Sequence, residues 1–171
     1  MSKTILETDR LILCQLSPND APFILELLND ESYLRFIGDK QVRTLDDARN
    51  YIVNGPMASY QRFGFGLYLT KLKVDSSPVG ICGLIKRESL DDVDVGYAFL
   101  AASRGKGYAT EAGQAIVEYA RTVVGLKRVV AIALPDNYAS IKVLEKLGLR
   151  FEKTIVWPDD NEKCSLFSVD F

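Results

Sequence analysis

The feature that most restricts the fold lies between residues 92 and 134. An alternating run, DVDVGYAFL (Asp92–Leu100), leads through SRGKGYATEA (Ser103–Ala112) into a long stretch ending before KRVVAIAL (Lys127–Leu134). The first run reads as a strand by its period of two. The last, nearly all apolar, reads as a strand at the centre of a sheet. Between them Ala109, Ala112, Ile116, Tyr119, Ala120 and Val123 recur at helical spacing and form one buried stripe, with Gly125 placed to end the helix. This β-α-β core carries two glycines around a lysine at the mouth of its helix.

The flanking sequence completes an α+β domain with one mixed sheet. RLILCQL (Arg10–Leu16), FGFGLYLT (Phe63–Thr70) and PVGICGLIKR (Pro78–Arg87) alternate as strands, and KLKVDSS joins the last two as a hairpin loop. SPNDAPFILELLND holds a helix running to about Leu28, and Glu31–Phe36 a short second one. Thr44 with Asp47 resembles a capping box opening another helix, which Gly55-Pro56 bends or interrupts. Pro135-Asp136-Asn137 starts a helix with Ile141, Leu144 and Leu147 inward, ended by Gly148. RFEKTIVW and KCSLFSVDF are two closing strands around the turn PDDNE. An exposed final hairpin of this kind invites pairing, so a homodimer is an expectation.

The chain has 171 residues, is 47% hydrophobic and 26% charged, and carries a net charge of −2. This composition suits one domain spanning residues 1–171, and it argues against wholesale nucleic-acid binding. No apolar run reaches membrane-spanning length, and MSKTILETDRLIL has no secretory core, so no membrane association and a cytoplasmic location are expected. Cys14, Cys82 and Cys164 form no CxxC pair and read as reduced core residues. The chain contains no histidine. Ser-His and Cys-His nucleophiles and His-based metal sites are therefore excluded, no metal is expected, and any proton transfer falls to a carboxylate, Tyr, Lys, Cys or water.

A helix start leaves about four backbone N–H groups without internal partners, and with the helix dipole they attract anions. Gly105 and Gly107 let the backbone curl closely around an oxyanion, while Arg104 and Lys106 add positive charge. A pyrophosphate suits such a loop; a plain helix with a flexible first turn is the competing reading. The Rossmann fingerprint fails at Thr110, and no Walker loop is present.

Arg104, Gly107 and Ala109 also fit R-x-x-G-x-A, which resembles the acyl-CoA pyrophosphate loop of the GNAT N-acetyltransferase superfamily. DNYASIKVLEKLGLRFEKT (Asp136–Thr154) resembles the N-x-x-S…L-E-K-L-G-F segment of that superfamily. LETDRLIL (Leu6–Leu13) and DVGYAFL (Asp94–Leu100) resemble the opening and the E-I-G-Y strand of its RimJ/RimL-like branch. The four matches span almost the whole chain in the expected order.

The resemblance implies a GNAT-like, largely antiparallel mixed sheet of about seven strands with about four helices and a splayed central strand pair. It implies acetyl transfer from acetyl-CoA, as cosubstrate, to a primary amine. The acceptor is a protein N-terminus or a small-molecule amine; a non-catalytic acyl-CoA-binding module or sensor is the alternative. Backbone groups near Phe99, Leu100 and Ala101 would bond the pantetheine arm. The loop Arg104, Gly105, Lys106, Gly107, Tyr108, Ala109 and Thr110 would hold the pyrophosphate, and Asn137 would reach the cofactor from across the gap.

An α-amine, with pKa about 8, is roughly one-tenth neutral at pH 7, and so asks less of a base than a lysine does. Asp94 stands where the related strand has Glu and is the candidate base, acting through a water. Asp91, Asp92 and Asp94 read alternatively as a solvated strand start, and the first two as an attraction for a cationic acceptor. A main-chain N–H at or near Phe99 is the candidate oxyanion donor. Where many GNAT enzymes carry an acidic Tyr this chain has Leu144; the RimJ/RimL-like branch uses Ser, which falls here on Ser140. Ser140 reads either as a contact to the CoA sulfur or as a helix cap. Tyr97 and Tyr138 are weaker candidates. Lys142 and Lys146 read as surface charge or as neighbours of the 3′-phosphate, and Trp157, Phe36 and Tyr60 as acceptor-pocket walls or core.

Overall fold

The computed structural model describes residues 2–171. Eight strands form one sheet: β1 Thr4–Glu7, β2 Leu11–Gln15, β3 Leu67–Leu72, β4 Pro78–Ile85, β5 Asp94–Phe99, β6 Arg128–Ala133, β7 Arg150–Val156 and β8 Lys163–Asp170. Their order is β1-β2-β3-β4-β5-β6-β8-β7, and every neighbouring pair is antiparallel except β5 with β6. The strand beyond the expected seven is β1, four residues long and too short for alternation to reveal.

The helices are α1 Ala21–Leu28, α2 Glu31–Phe36, α3 Leu45–Ile52, α4 Ala58–Phe63, α5 Tyr108–Tyr119 and α6 Tyr138–Lys146. The resemblance implies about four helices and the sequence segments number five; the described residues form six because the third segment is divided at Gly55-Pro56, as expected. A five-residue π turn, Val53–Met57, absorbs the proline and passes the chain into α4. That helix runs to Phe63 and closes on left-handed Gly64 (φ 80°). The strand expected from Phe63 therefore begins only at Leu67. Thr44 and Asp47 do form the reciprocal capping box. A second π turn, Ala120–Val124, follows α5 and shifts its register. Val123, placed in the buried stripe by its spacing, is consequently 68% exposed, and Val124 packs against the core instead.

Two apolar clusters cover the two faces of the sheet. On one, Val95 and Phe99 of β5 meet Ala112 and Ile116 of α5 and Leu144 of α6. On the other, Leu69 and Ile81 meet Ile24 and Leu27 of α1 and Ile52 of α3. Cys14, Cys82 and Cys164 are free and buried, as their spacing suggests. Among the described residues no helix is long and apolar enough to cross a membrane.

The site is positioned by the one parallel pair. β5 and β6 share a single bridge, Asp94 with Val130, where the Val130 N–H donates to the Val93 carbonyl at 2.9 Å. Beyond it β5 stays zipped to β4 as far as Phe99, and β6 to β8 as far as Ala133. The two strands thus part, each held by its outer neighbour.

β4 must approach β3 closely to hold this arrangement. A Cβ on Gly83 would lie 2.0 Å from the Gly66 carbonyl oxygen, whereas one on Gly55 meets nothing within 4 Å. Gly83→Ala is expected to cost about 1–3 kcal/mol through backbone displacement, and Gly55→Ala, in a helical turn, to be neutral or slightly stabilising. Urea unfolding of the two variants checks the contrast.

Candidate active site

A cavity of about 950 Å³ opens where β5 and β6 diverge and runs through the sheet. Peptide groups along a strand alternate in direction. The Val93 carbonyl faces β6, and the Leu100 N–H faces β4, where it bonds the Val79 carbonyl at 3.0 Å. The Val95 carbonyl and the main-chain groups of Tyr97 and Phe99 therefore face the gap, the Val95 N–H being taken up by the bridge to Val130. At its far end the Phe99 carbonyl accepts from Arg104 Nε (3.2 Å) and Nη2 (2.9 Å).

The glycine loop forms one end of the cavity. Gly105 and Gly107 adopt φ 75° and 82°, in the left-handed region that glycine occupies without strain. From Gly105 to Thr110, six successive main-chain N–H groups have no partner among the described residues; the first to bond back is Glu111, to the Gly107 carbonyl. Arg10 holds the loop in this shape. Its Nη1 donates to the Lys106 carbonyl (2.9 Å), its Nε to Glu111 (2.7 Å), and its guanidinium lies 4.6 Å from the centre of the Tyr108 ring. Thr8 Oγ1 donates to the same carboxylate at 2.6 Å. Burial alone would raise Glu111, but Thr8 and Arg10 outweigh it and hold the carboxyl below its ordinary range. The Thr8–Arg10–Glu111 clamp lacks a local signal: its partners are about a hundred residues apart.

Of the cofactor-binding residues expected from the sequence, Phe99, Arg104, Gly105, Gly107, Tyr108, Ala109, Thr110, Asn137 and Ser140 line the cavity, whereas Leu100, Ala101 and Lys106 do not. The Arg104 guanidinium turns away from the cradle, to the Phe99 carbonyl, Ser32 Oγ (2.9 Å) and Asp30 (2.5 Å), which itself caps α2. Lys146 lines the cavity and Lys142 does not. Phe36 and Trp157 are walls of the chamber. Tyr60 is not: its hydroxyl donates to the Leu67 carbonyl and accepts from the Leu16 N–H, inside the protein.

Ser140 sits where the cavity meets α6. Asn137 caps that helix, its Oδ1 accepting from the Ser140 N–H at 3.3 Å. Ser140 Oγ lies 2.8 Å from the Tyr97 hydroxyl, which is also 3.1 Å from the Ser140 carbonyl. Burial pushes the Tyr97 phenol up, so it stays protonated as a donor. Tyr138 is 71% exposed and is not a wall of the cavity.

Asp94 lies on the other face of β5, 1% exposed. Arg87 Nε donates to its Oδ2 at 2.7 Å, and the Arg87 guanidinium carbon lies 5.5 Å from the centre of the Trp157 ring. Desolvation pushes the carboxyl up to about 6, and Arg87 opposes the rise without cancelling it. Asp92 is drawn instead to Arg128 (3.1 Å), and neither it nor Asp91 lines the cavity. Among the described residues no cluster of three or more His, Cys, Asp or Glu is arranged to hold a metal ion.

The parted parallel pair and the amide cradle thus open onto one continuous cavity. Residues 10–150 match the acetyltransferase (GNAT) domain family. The chain belongs to the GNAT acetyltransferases. The uncharacterized protein YkkB of Bacillus subtilis (strain 168) is 31% identical over 158 residues, 90% of either chain. The uncharacterized N-acetyltransferase YoaA of the same organism is 27% identical over 150 residues, covering 86% of this chain and 84% of its own. The fold matches that of RimL, a ribosomal L7/L12 alpha-N-protein acetyltransferase solved in complex with coenzyme A. There the TM-score is 0.85 and the identity 17%, over 99% of this chain and 98% of that one.

The buried Asp94 has a sign-specific consequence. Its folded pKa, about 6, lies above the unfolded value near 3.9. The folded state therefore binds the extra proton, and the stability this lends is complete below about pH 4 and lost as pH rises through 6. Asp94→Asn is expected to gain stability over the native protein at pH 8, by up to roughly 3 kcal/mol, and to lose that gain near pH 4. Thermal melts at both pH values read the difference.

Proposed function

We propose that this GNAT domain moves an acetyl group from acetyl-CoA to a primary amine, on a protein N-terminus or a small molecule, by direct attack within a ternary complex. The observation that carries the reading is the single Asp94–Val130 bridge. Beyond it β5 presents an unpaired main-chain edge that an extended pantetheine arm would complete, with six free N–H groups at one end of the cavity for a diphosphate. Acetyl-CoA supplies the activated acyl thioester; everything else is asked of this chain.

The loop Gly105–Thr110 binds the diphosphate by main-chain donors, and Asn137 keeps its side-chain amide nitrogen free for the cofactor while its oxygen caps α6. The outward N–H at Phe99 lies along the unpaired edge and serves as oxyanion donor. Asp94, with pKa about 6, is mostly ionised at pH 7 and so accepts the amine's proton, through a water given its burial. Ser140 Oγ, backed by the protonated Tyr97 hydroxyl at 2.8 Å, is placed to return a proton to the departing thiolate.

The test is acetyl-CoA consumption across N-terminal peptides and small amines, with calorimetry of CoA binding beside it. Turnover of at least one amine is expected, falling as pH drops through about 6. Asp94→Asn should lower kcat by about 10²–10³ and leave CoA affinity intact. Tight CoA binding with no turnover of any amine would overturn the catalytic reading.

A further inference from the structure

The half of the cavity facing α2, α3 and the β7–β8 turn is built around one guanidinium. Arg87 follows β4, and its Nε is engaged by Asp94. Its two outer nitrogens have no hydrogen-bond partner among the described residues, and the side chain keeps 29% of its exposure. Trp157 roofs it, and Tyr33, Phe36, Lys40 and Tyr51 stand around the same chamber. Lys40 forms no ion pair among the described residues. Lys86 is accounted for, its ammonium held by the Leu90 carbonyl at 2.7 Å. The acids Asp160 and Glu162 also line the cavity, from the β7–β8 turn, and Asp160 caps the Glu162 N–H.

A guanidinium with its inner nitrogen fixed and its outer pair open is a planar fork for an oxyanion. That fork sits beside the carboxylate proposed to take the amine's proton. An amine directed to Asp94 and an oxyanion held by Arg87 are then one guanidinium's breadth apart, which suits two groups on a single carbon. Of the surrounding walls, Tyr33, Phe36, Tyr51 and Trp157 are aromatic, while Lys40, Asp160 and Glu162 are charged. We infer that the acceptor is a small α-amino acid with an apolar or aromatic side chain, whose carboxylate is held by Arg87 while its amine faces Asp94.

This deepens the proposed acetyl transfer and rests on it, but binding tests it separately. The experiment compares leucine, phenylalanine and tryptophan with their primary amides and with N-terminal peptides, in acetyl-CoA turnover. In parallel, calorimetry measures N-acetylphenylalanine and its amide against the CoA-loaded protein. The acids should exceed their amides by about tenfold or more in kcat/KM, mainly through KM, and N-acetylphenylalanine should bind at least tenfold tighter than its amide. In Arg87→Gln both ratios should fall towards one, whatever the shared loss of rate from loosening Asp94. Arg87→Lys should retain part of the preference.

Amides or peptides acetylated as well as the acids, or a preference that survives Arg87→Gln, would overturn the assignment while leaving acetyl transfer standing. An Arg87-dependent preference in binding with no turnover of any amine would uphold the anchor and remove the catalytic reading.

Discussion

An unpaired strand edge inside a sheet is the constraint on which the rest of this structure depends. Buried backbone donors and acceptors need partners, and leaving them bare is costly. β5 is stitched to β4 along its whole length but to β6 only at Asp94. The Val95 carbonyl and the main-chain groups at Tyr97 and Phe99 thus look into a gap that no protein strand fills. At the far end, Arg104 closes the Phe99 carbonyl with two donors. The remaining groups are a template for an extended polar chain, and the glycine loop that follows β5 sets an anion cradle at the end of that template.

The two faces of β5 divide the chemistry. Successive side chains alternate across a strand, so Tyr97 points to the α5 and α6 side and Asp94 to the other. The phenol there is backed onto Ser140, and burial keeps it protonated; the carboxyl opposite is raised but still ionised at neutral pH. A proton donor and a proton acceptor thus flank the gap from opposite sides. Their environments push the two groups to opposite protonation states at neutral pH. The arginine beside Asp94 keeps the carboxylate from becoming a permanently neutral buried acid.

The central unit was readable from the sequence because its signals are local. Alternation marks β5, apolar density marks β6, and the helix mouth is announced by Gly105 and Gly107. The register slip at Val123 was not readable, because nothing in the residues Ala120–Val124 marks a π turn by type. The interruption at Gly55-Pro56 was readable, because a proline breaks an α turn; that a π turn would accommodate it was not. Asp94 and Ser140 could be named as candidates, but Arg87, seven residues from Asp94 across a strand turn, and Arg10, about a hundred residues from Glu111, could not. Long-range ion pairs leave no spacing to read.

The two basic side chains of the glycine loop show how sequence and structure assign charge differently. Arg104 and Lys106 invite the reading that cations neutralise the anion. In the fold, Arg104 ties the loop to α2 through Asp30 and Ser32, Lys106 offers its carbonyl to Arg10, and only its backbone takes part in the cradle. The clamp residues, with their charges already paired, serve as braces. A diphosphate in the cradle would then be met by six oriented N–H dipoles and the start of a twelve-residue helix. Preset dipoles lose nothing to reorganisation when the anion arrives, and being neutral they let a product cofactor leave. Arg104, at the start of the loop, bonds Asp30 and Ser32 at the head of α2, so the loop and that wall of the chamber share one strut.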